Sequence, residues 1–344
     1  MASAHTPPKD AVPMTLEEVH ALATKCLVSS GANAENARAV ADIVTAAERD
    51  ICASHGLFRI PGYCASLKSG KVNGNSSPTA SRIAPAVVRV EGQGGFAPLA
   101  LEVGRAPLIE AAREQGVAAL AVRDIHHFAA LWPETQALAE EGLVGFAFTA
   151  ALPYVVAAGG RKPIFGTNPM SFAWPRPGKD PMVFDQASST LARGDIMIAK
   201  RDGHAVPLGT GVDKDGNDTT DPGAILDGGA QLTFGGYKGS AIAMMVELLA
   251  GALIGDLFSF ESKKIDIGDG GPPRGGEFML AIDPARLGDA DGWAAHAEAL
   301  FAEMISDDGV RLPADRRHAN RKLTPTEGAH IPRALYEKLV EIAG

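Results

Sequence analysis

The sequence changes character near Val87, and this change limits the folds that the chain can adopt. Before it, a capping box at Thr15 and Glu18 predicts a helix over 16–29, Asn33 caps a second helix that runs to about Arg49, and Pro61 suits the first turn of a third. After it, short apolar runs alternate with helical stretches and glycine-rich turns: 87–90, 118–122, 144–149 and 182–184. We predict a mixed α/β fold with a helical N-terminal part and leave the strand order open.

The segment Ser54–Tyr63 carries the strongest chemical signal. It places the Ser54 hydroxyl, the His55 imidazole and the Arg59 guanidinium within six residues. A proton donor beside a two-pronged carboxylate clamp suits a reaction on a small 2-oxo or 2-imino acid. The alternative is a capped helix start that happens to contain a histidine.

Composition excludes several classes of protein. The net charge of −9 argues against binding to nucleic acid or to anionic membranes as the main role. Three cysteines are too few and too irregularly spaced for a disulfide framework or a zinc site, which favours the cytoplasm.

Residues 1–13 are expected to form a mobile tail rather than a signal peptide. The longest apolar stretch, 241–254, contains Glu247 and reads as a buried helix rather than a membrane span.

Two further motifs are ambiguous when taken alone. The stretch Gly92–Ala97 has the form of a dinucleotide fingerprint after a predicted strand, but such a short pattern is weak in a chain with 39 glycines. The segment Arg311–His318 concentrates three arginines and a histidine. It predicts either a phosphate site or a solvated turn before the last helix.

The adjacent histidines His126 and His127 do not predict a metal site. Neighbouring side chains on a strand point to opposite faces, so the two imidazoles cannot readily share one ion. Neither a second histidine at helical spacing nor a cysteine completes a ligand set around them. One imidazole facing a ligand is the simpler interpretation, and we expect no metal.

Several blocks, taken in order along nearly the whole chain, resemble one family. This is the malate/L-lactate dehydrogenase type of oxidoreductase, which lacks a Rossmann domain. The blocks are Ser54–Gly56 with Arg59 and Tyr63, Phe165–Pro169, Phe184–Asp185, Ala192–Asp195, Ile225–Gly229, Phe234–Gly239 and Met245–Glu247.

Two blocks indicate the branch within that family. His126–Pro133 and Arg311–Arg317 resemble the Δ1-piperideine-2-carboxylate/Δ1-pyrroline-2-carboxylate reductases, whereas hydroxy-acid members usually carry an Asn-His-Phe-Gly block there. Leu131 and Trp132 would then cover the apolar ring of a substrate. The departure at Ile51-Cys52-Ala53, where relatives often carry polar residues, leaves room for a shifted substrate preference.

The resemblance implies a fold and an assembly. It implies a predominantly antiparallel seven-stranded cofactor domain over 81–306 and a helical domain built from 14–80 with 307–344. It also implies a homodimer that uses NADPH. Under this resemblance Gly92–Ala97 is an ordinary turn and not a dinucleotide fingerprint.

The resemblance also implies roles for individual residues. His55 becomes the proton donor, with Ser54 and Asp195 as its relay partners, and Arg59 and Thr167 bind substrate. The implied cofactor contacts are His126, His127, Phe128, Ala129, Ala130, Asp185, Gln186, Ala187, Arg193, Gly194, Gly236, Tyr237, Arg311, Leu312, Pro313, Ala314, Asp315, Arg316 and Arg317.

The implied reaction is the NADPH-dependent reduction of these two cyclic imines to L-pipecolate and L-proline. Imidazolium suits the proton step because its ordinary pKa, about 6.5, is close to neutral pH. Two alternatives stay open. One is a dehydrogenase of 2-hydroxy acids on the same scaffold, and the other is a non-catalytic protein that binds a small carboxylate.

Overall fold

The computed structural model describes residues 10–127 and 130–344. The outer residues of the expected N-terminal tail, 1–9, and the predicted cofactor contacts Phe128 and Ala129 lie outside this part. Its α-helices are α1 (Leu16–Ser29), α2 (Ala34–Arg49), α3 (Ile60–Lys68), α4 (Ala97–Gln115), α5 (Trp132–Glu140), α6 (Arg193–Asp202), α7 (Pro222–Leu226), α8 (Tyr237–Glu247), α9 (Ser259–Ile265), α10 (Trp293–Ile305), α11 (Asp315–Glu327) and α12 (Arg333–Ala343).

The strands fall into three sheets. They are β1 (Ala11–Met14), β2 (Thr79–Ala84), β3 (Val87–Phe96), β4 (Val117–His126), β5 (Val144–Thr149), β6 (Val155–Val156), β7 (Pro163–Phe165), β8 (Met170–Trp174), β9 (Met182–Gln186), β10 (Gly211–Val212), β11 (Asp218–Thr219), β12 (Ala230–Gln231), β13 (Arg274–Ile282) and β14 (Ala329–Pro332). This arrangement confirms the predicted mixed α/β fold.

The largest sheet organises the middle of the chain. Within the described residues it has seven strands in the order β2-β3-β4-β13-β5-β8-β9. Only β3 and β4, joined by α4, run parallel, and the other neighbouring pairs are antiparallel. The late strand β13 is inserted between β4 and β5. The sheet therefore brings residues that are far apart in sequence onto neighbouring strands.

Both faces of this sheet are covered. Leu120, Val122 and Met279 pack in one core with α4 and α5, while Ala121 and Phe278 pack on the opposite face beneath α8. This alternation is the period of two that a strand imposes on its side chains. A six-residue π-helical segment, Leu248–Leu253, continues α8.

A separate core joins the two ends of the chain. Residues 14–72 share it with residues 329–343, and α1 packs against α12. Strand β1 pairs antiparallel with β14. The expected tail is therefore too long, because residues 11–13 pair with a strand rather than remaining free. The capping box at Thr15 and the Asn33 cap are confirmed.

The stretch Gly92–Ala97 forms neither a phosphate loop nor an ordinary turn. Residues 92–96 belong to the end of β3, and α4 begins at Ala97. The pairing of β3 with β4 shifts register between Glu91 and Gly95, where Gln93 and Gly94 adopt positive φ. The glycines therefore serve a bulge at the end of a strand.

No helix in the described ranges combines the length and apolarity that crossing a bilayer requires.

Candidate active site

A strained residue, Ile51, lies between α2 and the predicted catalytic segment Ser54–Tyr63. Ile51 has a φ of 56°, a left-handed conformation that is costly for a β-branched side chain. Two short 3₁₀ turns follow, Ala53–His55 and Leu57–Arg59, and lead into α3. Such strain persists only where surrounding contacts hold it.

Asp50 supplies those contacts. Its buried carboxylate accepts hydrogen bonds from Arg321 at 2.6 and 3.0 Å, from Arg49 at 2.9 Å and from the Trp132 indole at 3.1 Å. Burial alone would raise the pKa of Asp50, but the hydrogen bonds from Arg321 and Arg49 outweigh it and leave this pKa below its usual value. This ionised carboxylate ties α2 to α5 and α11.

Glu48 explains the glycine that follows the histidine. Its Oε1 accepts the Leu57 N–H at 2.7 Å. A Cβ built on Gly56 would lie 2.0 Å from the same oxygen, so only glycine fits there. Burial raises the pKa of Glu48 to about 7, although the Leu57 hydrogen bond opposes this.

His55 lies half-buried at the end of this segment. Its Nδ1 is 3.1 Å from the Ser54 hydroxyl, and its ring meets the edge of Trp132. Burial first, and then the charges of Arg59 and His127, lower the pKa of His55 to about 3. The imidazole is therefore neutral at neutral pH in this arrangement.

A cleft of about 830 Å³ opens in front of His55. It brings together twelve of the residues that the sequence assigns to the site, from three separate parts of the chain. They are Ser54, His55, Arg59, Thr167, Asp185, Gln186, Ala187, Arg193, Gly194, Asp195, Arg316 and Arg317. Among the described residues no hydrogen bond joins Asp195 to His55, and the Asp195 side chain is exposed at the first turn of α6. The predicted relay between them stays a prediction.

A second cavity of about 790 Å³ adjoins the cleft. Arg59, Thr167 and Arg193 line both spaces. Nε of Arg59 donates to the Ser54 carbonyl at 2.6 Å, which directs its guanidinium to the boundary between them. A Cβ on Gly194 would lie 2.8 Å from Nη2 of Arg59, so this glycine allows α6 to approach the arginine.

Arg59 and Arg193 place two guanidinium groups at the boundary between the two spaces. Arg193 stacks on the Tyr154 ring at 3.4 Å from its centroid, and burial lowers the pKa of Arg193. Across the described ranges neither guanidinium takes part in an ion pair with a carboxylate. Two such groups at one boundary are suited to bind an anion.

The arginine-rich segment separates into residues with different roles. Arg316 is exposed and lines the cleft. Arg317 is half-buried, donates to the Val183 carbonyl at 2.9 Å and lies over the Trp132 ring. The residues from 311 to 315 line neither cavity, and Asp315 accepts the Leu312 N–H at 2.9 Å.

Other predicted contacts lie apart from the cleft. Ala130 and Leu131 are buried in the core, so Leu131 does not cover a substrate, whereas Trp132 does line the cleft. His126 is buried with Nδ1 3.1 Å from the Gly94 carbonyl. Gly236 lines a separate surface pocket, and Tyr237 is exposed. Their proposed cofactor contacts stay predictions.

Asp185 has a structural contact as well as a place in the cleft. Its Oδ2 accepts the Leu131 and Trp132 N–H groups at 2.9 and 3.1 Å, which caps the start of α5. Burial raises the pKa of Asp185 to about 6 despite these hydrogen bonds.

Sequence reasoning missed two acidic residues behind the site. Glu134 on α5 and Glu277 on β13 meet His127, with ligand atoms of all three within 4.8 Å of one another. His127 also lines the second cavity. The sequence signal that could have revealed Glu277 is its position two residues before Met279. Residues two apart on a strand share a face, and Met279 packs into the core, so Glu277 points to the buried face as well. One partner of the histidine, Glu277, thus comes from a strand far away in sequence, whereas Glu134 lies near it in sequence, in the first turn of α5.

The malate/L-lactate dehydrogenase model matches residues 14–340. The chain belongs to this family. The match covers every residue that lines the cleft except Asp10.

Several relatives that are similar over nearly their whole length are named as reductases of cyclic imines. A Δ1-pyrroline-2-carboxylate/Δ1-piperideine-2-carboxylate reductase of Pseudomonas aeruginosa is 50% identical over 331 residues, covering 96% of this chain and 98% of the relative. A Δ1-pyrroline-2-carboxylate reductase of Ancylobacter novellus is 48% identical, covering 95% and 96%. The crystal structure of a Δ1-piperideine-2-carboxylate reductase from Pseudomonas syringae pv. tomato superposes with a TM-score of 0.91 at 43% identity, over 96% of this chain and 99% of that one.

Proposed function

We propose that this malate/L-lactate dehydrogenase family member reduces Δ1-piperideine-2-carboxylate and Δ1-pyrroline-2-carboxylate to L-pipecolate and L-proline with NADPH. One observation carries the proposal. His55 lies in one cleft with Arg59 and Arg193, two guanidinium groups that have no carboxylate partner among the described residues. Near-full-length relatives at 43–50% identity that are named as reductases of these imines support it.

Arg59 is proposed to hold the substrate carboxylate. Its Nε is already committed to the Ser54 carbonyl, so the outer guanidinium nitrogens remain to bind two oxygens. Thr167 lies at the same boundary and offers a hydroxyl. Holding the carboxylate at a fixed distance from His55 orients the C=N bond, which supplies much of the rate acceleration in reactions of this kind.

His55 is proposed to give the proton that the imine nitrogen takes up. Its Nδ1 contact with Ser54 fixes the ring orientation, and because its pKa is lowered, the ring has to take up a proton before it gives one to the substrate. Asp195 lines the same cleft and is proposed to approach His55 when substrate closes the site. NADPH, when bound, supplies the hydride.

The cleft suits a phosphate-bearing cofactor. Its volume, about 830 Å³, lies in the range of cofactor sites, and its lining includes the cationic side chains of Arg193, Arg201, Arg316 and Arg317. Arg316 is exposed and takes part in no ion pair across the described ranges. It is therefore the residue proposed to bind the 2′-phosphate.

We also propose a cytoplasmic homodimer whose cofactor domain spans 81–306 and whose helical domain combines 14–80 with 307–344. Free thiols at Cys26, Cys52 and Cys64 suit a reducing compartment. Exposed apolar side chains along α8, the π-helical segment and α9 suit a subunit interface. They are Met244, Leu248, Leu253, Phe260 and Ile265.

The test is a comparison of kcat/KM with NADPH for the two cyclic imines against pyruvate and other open-chain 2-oxo acids. A higher value for the imines is expected. A higher value for an open-chain acid supports a hydroxy-acid dehydrogenase instead, and an absence of NADPH binding supports a carboxylate-binding protein.

A variant tests the proposed donor. His55→Ala is expected to lower kcat by about 10²–10⁴ while leaving the Kd of NADPH nearly unchanged. A variant that keeps most of its kcat contradicts this role for His55.

A further inference from the structure

Residues 266–273 form a strap that joins α9 to β13 and lines the second cavity. At the end of the strap, the Pro273 carbonyl accepts the His127 N–H at 3.3 Å, next to the end of β4. Arg59 lines the same cavity. The strap therefore belongs to the wall of the space into which the proposed carboxylate clamp opens.

The strap packs closely on α3, the helix that begins directly after Arg59. A Cβ on Gly62 of this helix would lie 2.6 Å from the Gly270 carbonyl oxygen. A Cβ on Gly271 would lie 2.8 Å from the Gly62 carbonyl oxygen. These positions require glycine, because any side chain would push the two backbones apart. The place of α3, and with it the place of Arg59, is thus set in part by the strap.

A buried cluster of polar side chains holds this contact together. Lys71, which follows the end of α3, lies 2.8 Å from Oδ1 of Asp269 and 3.2 Å from Oδ1 of Asp266, and these side chains are at most 8% exposed. Ser66 on α3 donates to Oδ2 of Asp269 at 2.7 Å, and the Gly271 N–H donates to Oδ1 at 3.1 Å. The Asp269 carboxylate thus joins the strap to α3 at two points.

The surroundings of Asp269 keep its carboxylate ionised. Burial would raise the pKa of Asp269, but the hydrogen bonds from Lys71, Ser66 and Gly271 outweigh it and leave this pKa below its usual value. A buried ion pair adds little net stability compared with apolar packing, whereas it holds the groups that it joins in one arrangement. The ion pair of Lys71 and Asp269 is therefore suited to fix how α3 lies against the strap.

We propose that Lys71 and Asp269 are positioning residues that, through the strap and α3, hold the Arg59 guanidinium where it binds the substrate carboxylate. The inference rests on the proposed imine reduction. Neither side chain lines the cleft or the second cavity, so both act through Arg59 rather than on the substrate. Their loss should weaken substrate binding and leave the cofactor in place.

The Lys71→Met variant tests this role, because it removes the charge and keeps most of the side-chain length. We expect kcat/KM for Δ1-piperideine-2-carboxylate to fall about tenfold, mainly through KM, with the Kd of NADPH within about twofold of the wild type. Lys71→Arg, which keeps a cation beside Asp269, should bring KM back to within about threefold of the wild type. An unchanged KM in Lys71→Met overturns the proposal.

Lys322→Met is the matched control, since Lys322 forms an exposed ion pair with Asp180 and lines neither space. Exposed pairs of this kind contribute little. The control should keep the wild-type KM for the imine and the wild-type Kd for NADPH.

A double-mutant cycle with Arg59 separates positioning from a purely structural role. If Lys71 acts through Arg59, its loss has little left to displace once the guanidinium is gone. The kcat/KM of Arg59→Ala with Lys71→Met should then lie within about twofold of that of Arg59→Ala alone, measured from slow NADPH oxidation at high enzyme concentration. Losses that multiply overturn the proposal, because independent sites give additive free energies.

Ser66→Ala provides the test if Lys71→Met does not fold. It removes one hydrogen bond to Asp269 and leaves the ion pair with Lys71 intact. The same pattern is expected, with kcat/KM lowered about threefold and a smaller loss in the Arg59→Ala background. A wild-type kcat/KM in Ser66→Ala overturns the proposal.

Failure of the proposed function gives a different result. Wild-type enzyme that oxidises no NADPH with either imine refutes the imine reduction and the positioning role with it. Active wild-type enzyme with multiplied losses in the cycle refutes the positioning role alone.

Discussion

Trp132 meets the His55 ring edge-on, with ring centroids 6.1 Å apart and planes at 85°. The same indole donates its N–H to Asp50, and Arg317 lies over its face. The orientation of the proposed donor thus depends on a buried carboxylate that never reaches the cleft. The family assignment explains the shared scaffold, and these contacts explain how this chain holds its imidazole.

Asp50→Asn should lower both stability and turnover. The change leaves Arg321 and Arg49 facing a neutral group, and we expect a loss of about 2–4 kcal/mol, below the cost for fully buried pairs because both guanidinium groups reach solvent. Urea unfolding gives the stability and steady-state assays give kcat. Asp42→Asn, which breaks the exposed pair with Arg38, should cost less than about 1 kcal/mol. Equal losses of unfolding free energy in the two variants would show that the buried Asp50 contacts stabilise the protein no more than an exposed ion pair does.

Gly194→Ala should impair substrate binding more than folding. The new Cβ would lie 2.8 Å from Nη2 of Arg59, and the flexible guanidinium would move away. Because Arg59 is proposed to hold the carboxylate, kcat/KM should fall about ten- to hundredfold. Gly288→Ala, at a glycine with open space around it, is the control and should behave as wild type. Unchanged kinetics in Gly194→Ala would argue against the clamp.

Arg316→Ala should raise the KM for NADPH about tenfold and leave that for NADH nearly unchanged. Arg316 lines the cleft with an exposed side chain, whereas Arg317 is engaged with Val183 and Trp132. Arg317→Ala should therefore also lower the melting temperature. Arg286→Ala is a surface control. Equal use of both cofactors by the wild-type enzyme would refute the preference for NADPH.

Glu48→Gln should change the pH dependence of stability. The pKa of Glu48 is raised from 4.5 to about 7, so the folded protein keeps a proton that the unfolded chain releases between these values. Unfolding then releases protons, and stability falls as pH rises through this window. The variant should gain about 2–3 kcal/mol over the wild type between about pH 4 and pH 8. Parallel stability curves from urea unfolding at each pH would contradict the raised pKa.

The sequence predicted features that depend on neighbouring residues. The caps at Thr15 and Asn33 and the first three helices follow from hydrogen bonds within one turn of the chain. The candidate groups of the Ser54–Arg59 segment likewise lie within six residues of one another, so the sequence alone could identify them. The arginine-rich segment was predicted as one unit, yet only two of its arginines line the cleft. Which side of a helix faces a ligand depends on how that helix docks, and no local pattern encodes docking.

By itself, the sequence determined the mixed α/β class, the local helix boundaries, the residue types of the site and the family resemblance. Only the tertiary structure decided that β13 inserts between β4 and β5, which brings Glu277 to His127 and Glu134. It also decided that Asp50 anchors Trp132 against His55. The physical reason is the distance along the chain over which each interaction acts. Caps and turns are stabilised within a few residues, whereas burial and the pKa of a carboxylate depend on whichever distant elements exclude water around it.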